Sequence, residues 1–96
     1  MRRLDFQGTK VAVIGMAKSG LASVELLASK GAIVRACDTQ PLDRLPGVAE
    51  ALARAGVPFQ LQSWEAIQDA EWVVISPGVP ADLDLLDQAR RKGARV

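Results

Sequence analysis

The run Val11-Ala12-Val13-Ile14-Gly15-Met16-Ala17-Lys18-Ser19-Gly20, with Asp38-Thr39 downstream, holds the residues best suited to chemistry in this chain. An apolar strand that feeds a helix through a glycine turn leaves backbone N–H groups unpaired at the helix start, where the aligned peptide dipoles add partial positive charge. Such a turn can cradle a phosphate or nucleotide without a charged side chain. Lys18 and Ser19 offer two more donors, a mobile ammonium and a hydroxyl. Lys18 equally suits a solvated loop, and Ser19 equally suits a helix cap, a role compatible with ligand contact.

The turn departs from the dinucleotide fingerprint G-x-G-x-x-G at one position, Ala17, where the backbone must approach a pyrophosphate closely. A methyl group there crowds a dinucleotide. Gly15 and Gly20 keep the positions for the tight turn and for close helix packing. The P-loop pattern G-x-x-x-x-G-K-[ST] would need glycines in place of Ala12 and Ala17 and fails at both. Asp38 closes the second expected strand, where an acidic residue accepts hydrogen bonds from a nucleoside, with Thr39 and Gln40 beside it. Its alternative role is to open a turn before Pro41. Ser76-Pro77-Gly78 follows the fourth expected strand. In an open parallel sheet, ligands sit beyond the carboxyl ends of strands where the order reverses, so the Gly15 and Gly78 turns should face each other.

The elements that must position these residues follow from periodicity. Residues 9–14 are apolar on both alternations, as in a parallel strand covered on two faces. Apolar positions Leu21, Ala22, Val24, Leu26, Leu27 and Ala28 form a helical stripe closed by Gly31, and residues 33–37 read as a second strand. Pro46 is expected in the first turn of a helix through Val48, Leu52 and Ala55 that ends at Gly56. Residues 57–61 give a weak third strand. Ser63 is placed to cap a short helical turn around 64–67, with Glu65 near its positive end. Residues 72–75 form the fourth strand, and Asp82 or Asp84 is expected to cap a helix through Leu85, Leu86 and Ala89. Arg90, Arg91 and Lys92 lie at its negative end, with Gly93 beyond. Ala94, Arg95 and Val96 look like the opening of a fifth strand. The expected fold is α/β, a Rossmann-like open, mainly parallel sheet of four to five strands flanked by helices. Residues 1–96 read as a single domain, the N-terminal part of a longer protein.

Composition removes several function classes. A formal net charge of +1 leaves no basic platform for nucleic acid. No apolar run is long enough to span a membrane, and Arg2-Arg3 precede no signal-type hydrophobic region. A single cysteine, Cys37, suits a reducing cytoplasm and packs rather than reacts. The chain has no histidine, so the commonest general base and metal ligand is missing. Trp64 and Trp72 are expected to pack in the core or at its edge, not to stack on bases.

Taken together, Gly15-x-x-x-Ser19-Gly20-Leu21, Asp38-Thr39 and Ser76-Pro77-Gly78-Val79 resemble the N-terminal domain of the Mur ligases of peptidoglycan synthesis, over nearly the whole chain. The similarity is greatest to the branch that adds D-glutamate, because the alanine-adding relative has a more glycine-rich first turn and lacks the Ser-Pro-Gly segment. The resemblance implies that this domain holds the UDP part of UDP-N-acetylmuramoyl-L-alanine, while absent domains bind ATP, with magnesium, and D-glutamate. It implies that Lys18, Ser19 and Gly78 line the diphosphate and ribose region, with Asp38 and Thr39 near the uracil, and that Gly15 and Gly20 of the first turn belong to the same substrate-binding set. Family members often carry arginine after the Asp-Thr pair. Gln40 stands there instead, so a phosphate-directed charge is missing or comes from Lys18 or Arg44. The reaction implied is ATP-dependent amide formation through an acyl phosphate, with no catalytic residue, metal site or cofactor in this chain, which by itself is inactive. A cytoplasmic monomer is expected. The competing readings are an NAD-type dinucleotide module of an oxidoreductase or sensor, and a scaffold domain whose cradle is empty.

Overall fold

Val11, Ala12, Val13 and Ile14 are all at most 2% exposed, so the strand they form has no solvent face. In the computed structural model, which describes residues 6–80 and 84–96, this strand is β1 (Lys10–Ile14). The following elements are α1 (Lys18–Ser29), β2 (Ile33–Asp38), a 3₁₀ turn (Leu42–Arg44), α2 (Val48–Ala55) and β3 (Phe59–Leu61). Then come α3 (Trp64–Ile67), β4 (Trp72–Ile75) and α4 (Asp84–Arg91).

The sheet order is β3-β2-β1-β4 with every pairing parallel, which places β1 between β2 and β4. Because side chains alternate across a strand, β1 supplies two separate cores. Val11 and Val13 join Val24 of α1, Val34 and Ala36 of β2, and Val48 and Leu52 of α2 on one face. Ala12 and Ile14 join Cys37, Ala66 and Ile67 of α3, Val73 of β4, and Leu86 and Ala89 of α4 on the other. The result is a three-layer α/β/α domain. Each fully buried valine, leucine or isoleucine stabilises it by roughly 1.5–3 kcal/mol. The surface ion pairs Lys10–Asp69, Arg35–Asp69 and Arg90–Asp87 join half-exposed side chains and contribute about 0–1 kcal/mol each. Packing therefore decides the fold.

The chain runs from β1 outward to β2 and β3 with α1 and α2 on one face, then crosses to β4 with α3 on the other. The order reverses between β1 and β4, the position expected from the sequence. Beside β4, Arg95 forms an isolated parallel bridge with Trp72, and the Val73 N–H donates to the Arg95 carbonyl at 2.7 Å. Trp72 itself packs edge-on to Phe6 and carries the Arg95 guanidinium 5.3 Å from its ring centre, and Trp64 packs against the second core, as expected of both.

Two local expectations are corrected. Pro46 lies outside α2, whose cap is Gly47 in a left-handed conformation (φ 78°), because the 3₁₀ turn already sets the entry of the chain. Ser19 is not a cap: the cap position falls two residues earlier, at Ala17, with no side-chain cap bond, and the Ser19 carbonyl accepts from Ser23 Oγ. The Asp38 backbone also extends β2 one residue beyond the expected end. Asp84 is the first residue of α4, while Asp82 lies outside the described residues. Ser63 does cap α3, its Oγ accepting from the Ala66 N–H at 3.2 Å. Replacing it by alanine should cost about 1 kcal/mol, read as a lowered midpoint in urea unfolding.

Candidate functional site

Beyond the carboxyl ends of the strands, the turns that follow β1, β2 and β4 enclose a cleft of ≈ 340 Å³. Gly15, Met16 and Ala17 form one wall, Asp38, Thr39 and Gln62 the floor of the β2–β3 side, and Ser76, Gly78, Val79 and Pro80 the opposite wall. Of the residues expected from the sequence, Gly15, Asp38, Thr39 and Gly78 line the cleft. Lys18 and Ser19 are exposed at the start of α1, next to Ala17. The first helical bond runs from the Leu21 N–H to the Ala17 carbonyl, so the N–H groups of Lys18, Ser19 and Gly20 have no intrahelical partner and, among the described residues, no backbone acceptor.

Gly15 and Gly20 are demanded by the fold. Gly15 has φ +94°, and a Cβ there would sit 2.7 Å from Ser76 Oγ. A Cβ on Gly20 would overlap the Gly15 carbonyl oxygen and also lie 2.7 Å from Ser76 Oγ. The two glycines thus let α1 press against the turn that precedes it, the roles read from their positions. Gly78 differs. Its φ is not positive, and a Cβ added to it would meet nothing within 4 Å. The Ser76-Pro77-Gly78-Val79 turn, closed by the Val79 N–H on the Ser76 carbonyl at 3.0 Å, therefore does not need glycine for its own geometry. That leaves the space beside Gly78 open to the cleft.

Asp38 is engaged by both turns at its end of the sheet. Oδ2 accepts from the Met16 N–H at 2.8 Å and Oδ1 from the Gln40 N–H at 2.9 Å. A carboxylate has about four acceptor positions, so room remains for a ligand. Ser76 is 5% exposed, and its Oγ donates to the Gly15 carbonyl at 2.8 Å. Met16, Ala17, Gln62, Val79 and Pro80 belong to the cleft as well, although periodicity alone marks none of them. Gln62 follows β3, so the rule that ligands gather at carboxyl ends would have included it. Gln40 and Arg44 do not line the cleft.

A second hollow, ≈ 300 Å³, lies at the opposite ends of β1 and β2. Its Arg35 guanidinium is committed to the Ala66 carbonyl at 2.7 Å and to Asp69 at 3.3 Å. Among the described residues no group of three or more His, Cys, Asp or Glu side chains could hold a metal, and no helix is long and apolar enough to cross a membrane. Cys37 is fully buried behind the cleft. Burial pushes its thiol up to about 11, with Arg35 opposing and Asp38 adding to the shift.

The fold is that of a Rossmann-like α/β domain, with a cleft at the switch point of its sheet. Solved structures show the same fold. A D-lactate dehydrogenase from Salmonella matches 95% of this chain and 26% of its own, with TM-score 0.66 and 22% identity. A UDP-glucose dehydrogenase from Pyrobaculum islandicum matches 97% of this chain and 26% of its own, with TM-score 0.60 and 24% identity. Residues 9–96 match the family described as Mur ligase MurD-like, N-terminal domain, and the chain belongs to that family. It is 47% identical over 93 residues to the UDP-N-acetylmuramoylalanine–D-glutamate ligase of Solibacter usitatus, covering 97% of this chain and 20% of that protein. The corresponding ligase of Koribacter versatilis is 35% identical over 95 residues, covering 97% of this chain and 21% of its own. The chain thus spans about a fifth of the length of these relatives.

The glycines separate packing from binding. Gly20→Ala should destabilise the domain by at least about 2 kcal/mol through overpacking, whereas Gly78→Ala should stay within about 0.5 kcal/mol of the parent, both measured by chemical unfolding. Cys37 gives a pH signature. Its folded pKa is raised, so the folded chain keeps a proton that the unfolded chain releases, and stability should fall as pH rises from about 9 towards 11. Unfolding series on the parent and on Cys37→Ala should differ in slope across that window.

Proposed function

We propose that this chain is the substrate-holding domain of a ligase that joins D-glutamate to UDP-N-acetylmuramoyl-L-alanine, and that its cleft takes the UDP moiety. The observation that carries this reading is the cleft at the switch point, with unpaired helix-start N–H groups at one side and Gly78 opposite, in a chain of the MurD-like family. The N–H groups of Lys18, Ser19 and Gly20, with the Lys18 ammonium, the Ser19 hydroxyl and the backbone at Gly15 and Gly78, suit a diphosphate and ribose. Asp38 and Thr39 suit the uracil, whose ring N–H needs an acceptor.

The reaction in this reading converts the substrate carboxylate to an acyl phosphate with ATP and magnesium bound elsewhere in the longer protein, and the amine of D-glutamate then attacks. Residues of this chain take no part in bond making. They hold the remote end of the substrate, so that binding energy at the UDP moiety positions the distant carboxylate. The reading places the protein in the cytoplasm, as a monomer. An NAD-binding role is less well supported, because Ala17 stands at the fingerprint's middle glycine.

Calorimetric titration tests the proposal. UDP or UDP-N-acetylmuramoyl-L-alanine should bind where NADH does not, and tight NADH binding with no response to either UDP compound would sink it. Ser19→Asp should weaken UDP by roughly tenfold, the scale of one lost charge-assisted hydrogen bond.

A further inference from the structure

In a parallel sheet, the peptides of a central strand donate to one neighbour and accept from the other. At the end of β1 this pattern continues past the last paired residue. The Gly15 N–H donates to the Cys37 carbonyl of β2 at 2.8 Å, and the Ile14 carbonyl accepts from the Ser76 N–H at 3.0 Å. The next peptide would point the opposite way in a continued strand, but Gly15 at φ +94° turns it out of the ladder, and side chains take the place of backbone partners. The Met16 N–H donates to Asp38 Oδ2 at 2.8 Å on the β2 side, and the Gly15 carbonyl accepts from Ser76 Oγ at 2.8 Å on the β4 side.

We propose that Asp38 and Ser76 are positioning residues that take over where the sheet ladder ends, pinning the Gly15–Met16 unit and removing the Met16 N–H from the donors that a bound diphosphate meets. The need for pinning follows from Gly15 itself. A glycine at φ +94° has little intrinsic barrier to other backbone conformations, and a rotated peptide would turn its carbonyl oxygen towards the cleft and repel an anion. Two hydrogen bonds from opposite strands hold it. Ser76 is 5% exposed and its hydroxyl lies where Cβ atoms on Gly15 or Gly20 would collide with it, so turn, helix start and β4 lock at one point.

This inference rests on the sugar-nucleotide reading for the identity of the anion, but the pinned peptide is measurable without ligand. Amide hydrogen exchange on the full 96-residue chain should show the Met16 N–H protected, and Ser76→Ala should speed its exchange about tenfold, the scale of one lost hydrogen bond. In calorimetry Ser76→Ala should weaken UDP by about tenfold while leaving uridine, which lacks the diphosphate, unchanged. Parallel weakening of both ligands would make Ser76 merely structural and overturn the proposal, as would unchanged UDP affinity. A Met16 amide that exchanges freely in the unsubstituted chain would overturn it without any variant. Failure of the unsubstituted chain to bind UDP, with Met16 protected, would instead overturn the functional reading and leave the pinning supported.

Discussion

Every layer of this domain depends on Val11–Ile14 of β1 having almost no solvent contact on either face or either edge. Val11 and Val13 point into one core and Ala12 and Ile14 into the other, so both faces must be covered by helices, while β2 and β4 take the two edges. A hairpin cannot meet those demands with parallel strands, since each parallel return needs a crossover. The helices are therefore the means by which β1 is buried, and their placement, two on each face, follows from the parity of its side chains.

The same constraint creates the site. A buried central strand must end, and at its carboxyl end the polar backbone has to find partners or water. Here the turn is squeezed between α1 and β4, and Gly15, Gly20 and Ser76 meet within van der Waals distance. Asp38 and Ser76 satisfy the peptide that the ladder can no longer reach. What remains unpaired is the start of α1, beside a cleft whose opposite wall carries a glycine that the fold does not require. A Rossmann-like frame shared with dehydrogenases thus carries a cleft shaped by two side chains and one turn.

Some local signals were legible because a single residue has one inexpensive conformation. Ser63 caps α3, Gly56 ends α2 in the left-handed region, and Gly15 turns the chain after β1, all as their positions indicate. Others were ambiguous because several neighbours suit the same role. Ser19 is a good cap by type, yet Ala17 takes that place without a capping side chain, since close packing of Gly20 on Gly15 sets where the helix starts. Pro46 suits a first helical turn, but the preceding 3₁₀ segment brings Gly47 there instead.

By itself the sequence determined the class of fold, the order of its strands and helices, the two-sided burial of β1 and the facing of the Gly15 and Ser76–Gly78 turns. Each of these follows from hydrophobic periodicity, from glycine and proline positions, or from the general geometry of parallel sheets. Tertiary structure alone decided which polar groups the cleft has left to offer. Asp38 reads in the sequence as an acceptor awaiting a nucleoside, and Ser76 as part of a turn. Only when residues 22 and 61 positions apart from their partners are brought within 2.8 Å do they become the clamp on the Gly15–Met16 peptide. Spacing along a chain records which residues share an element, but hydrogen bonds across strand ends depend on register and on how closely helix and turn can pack.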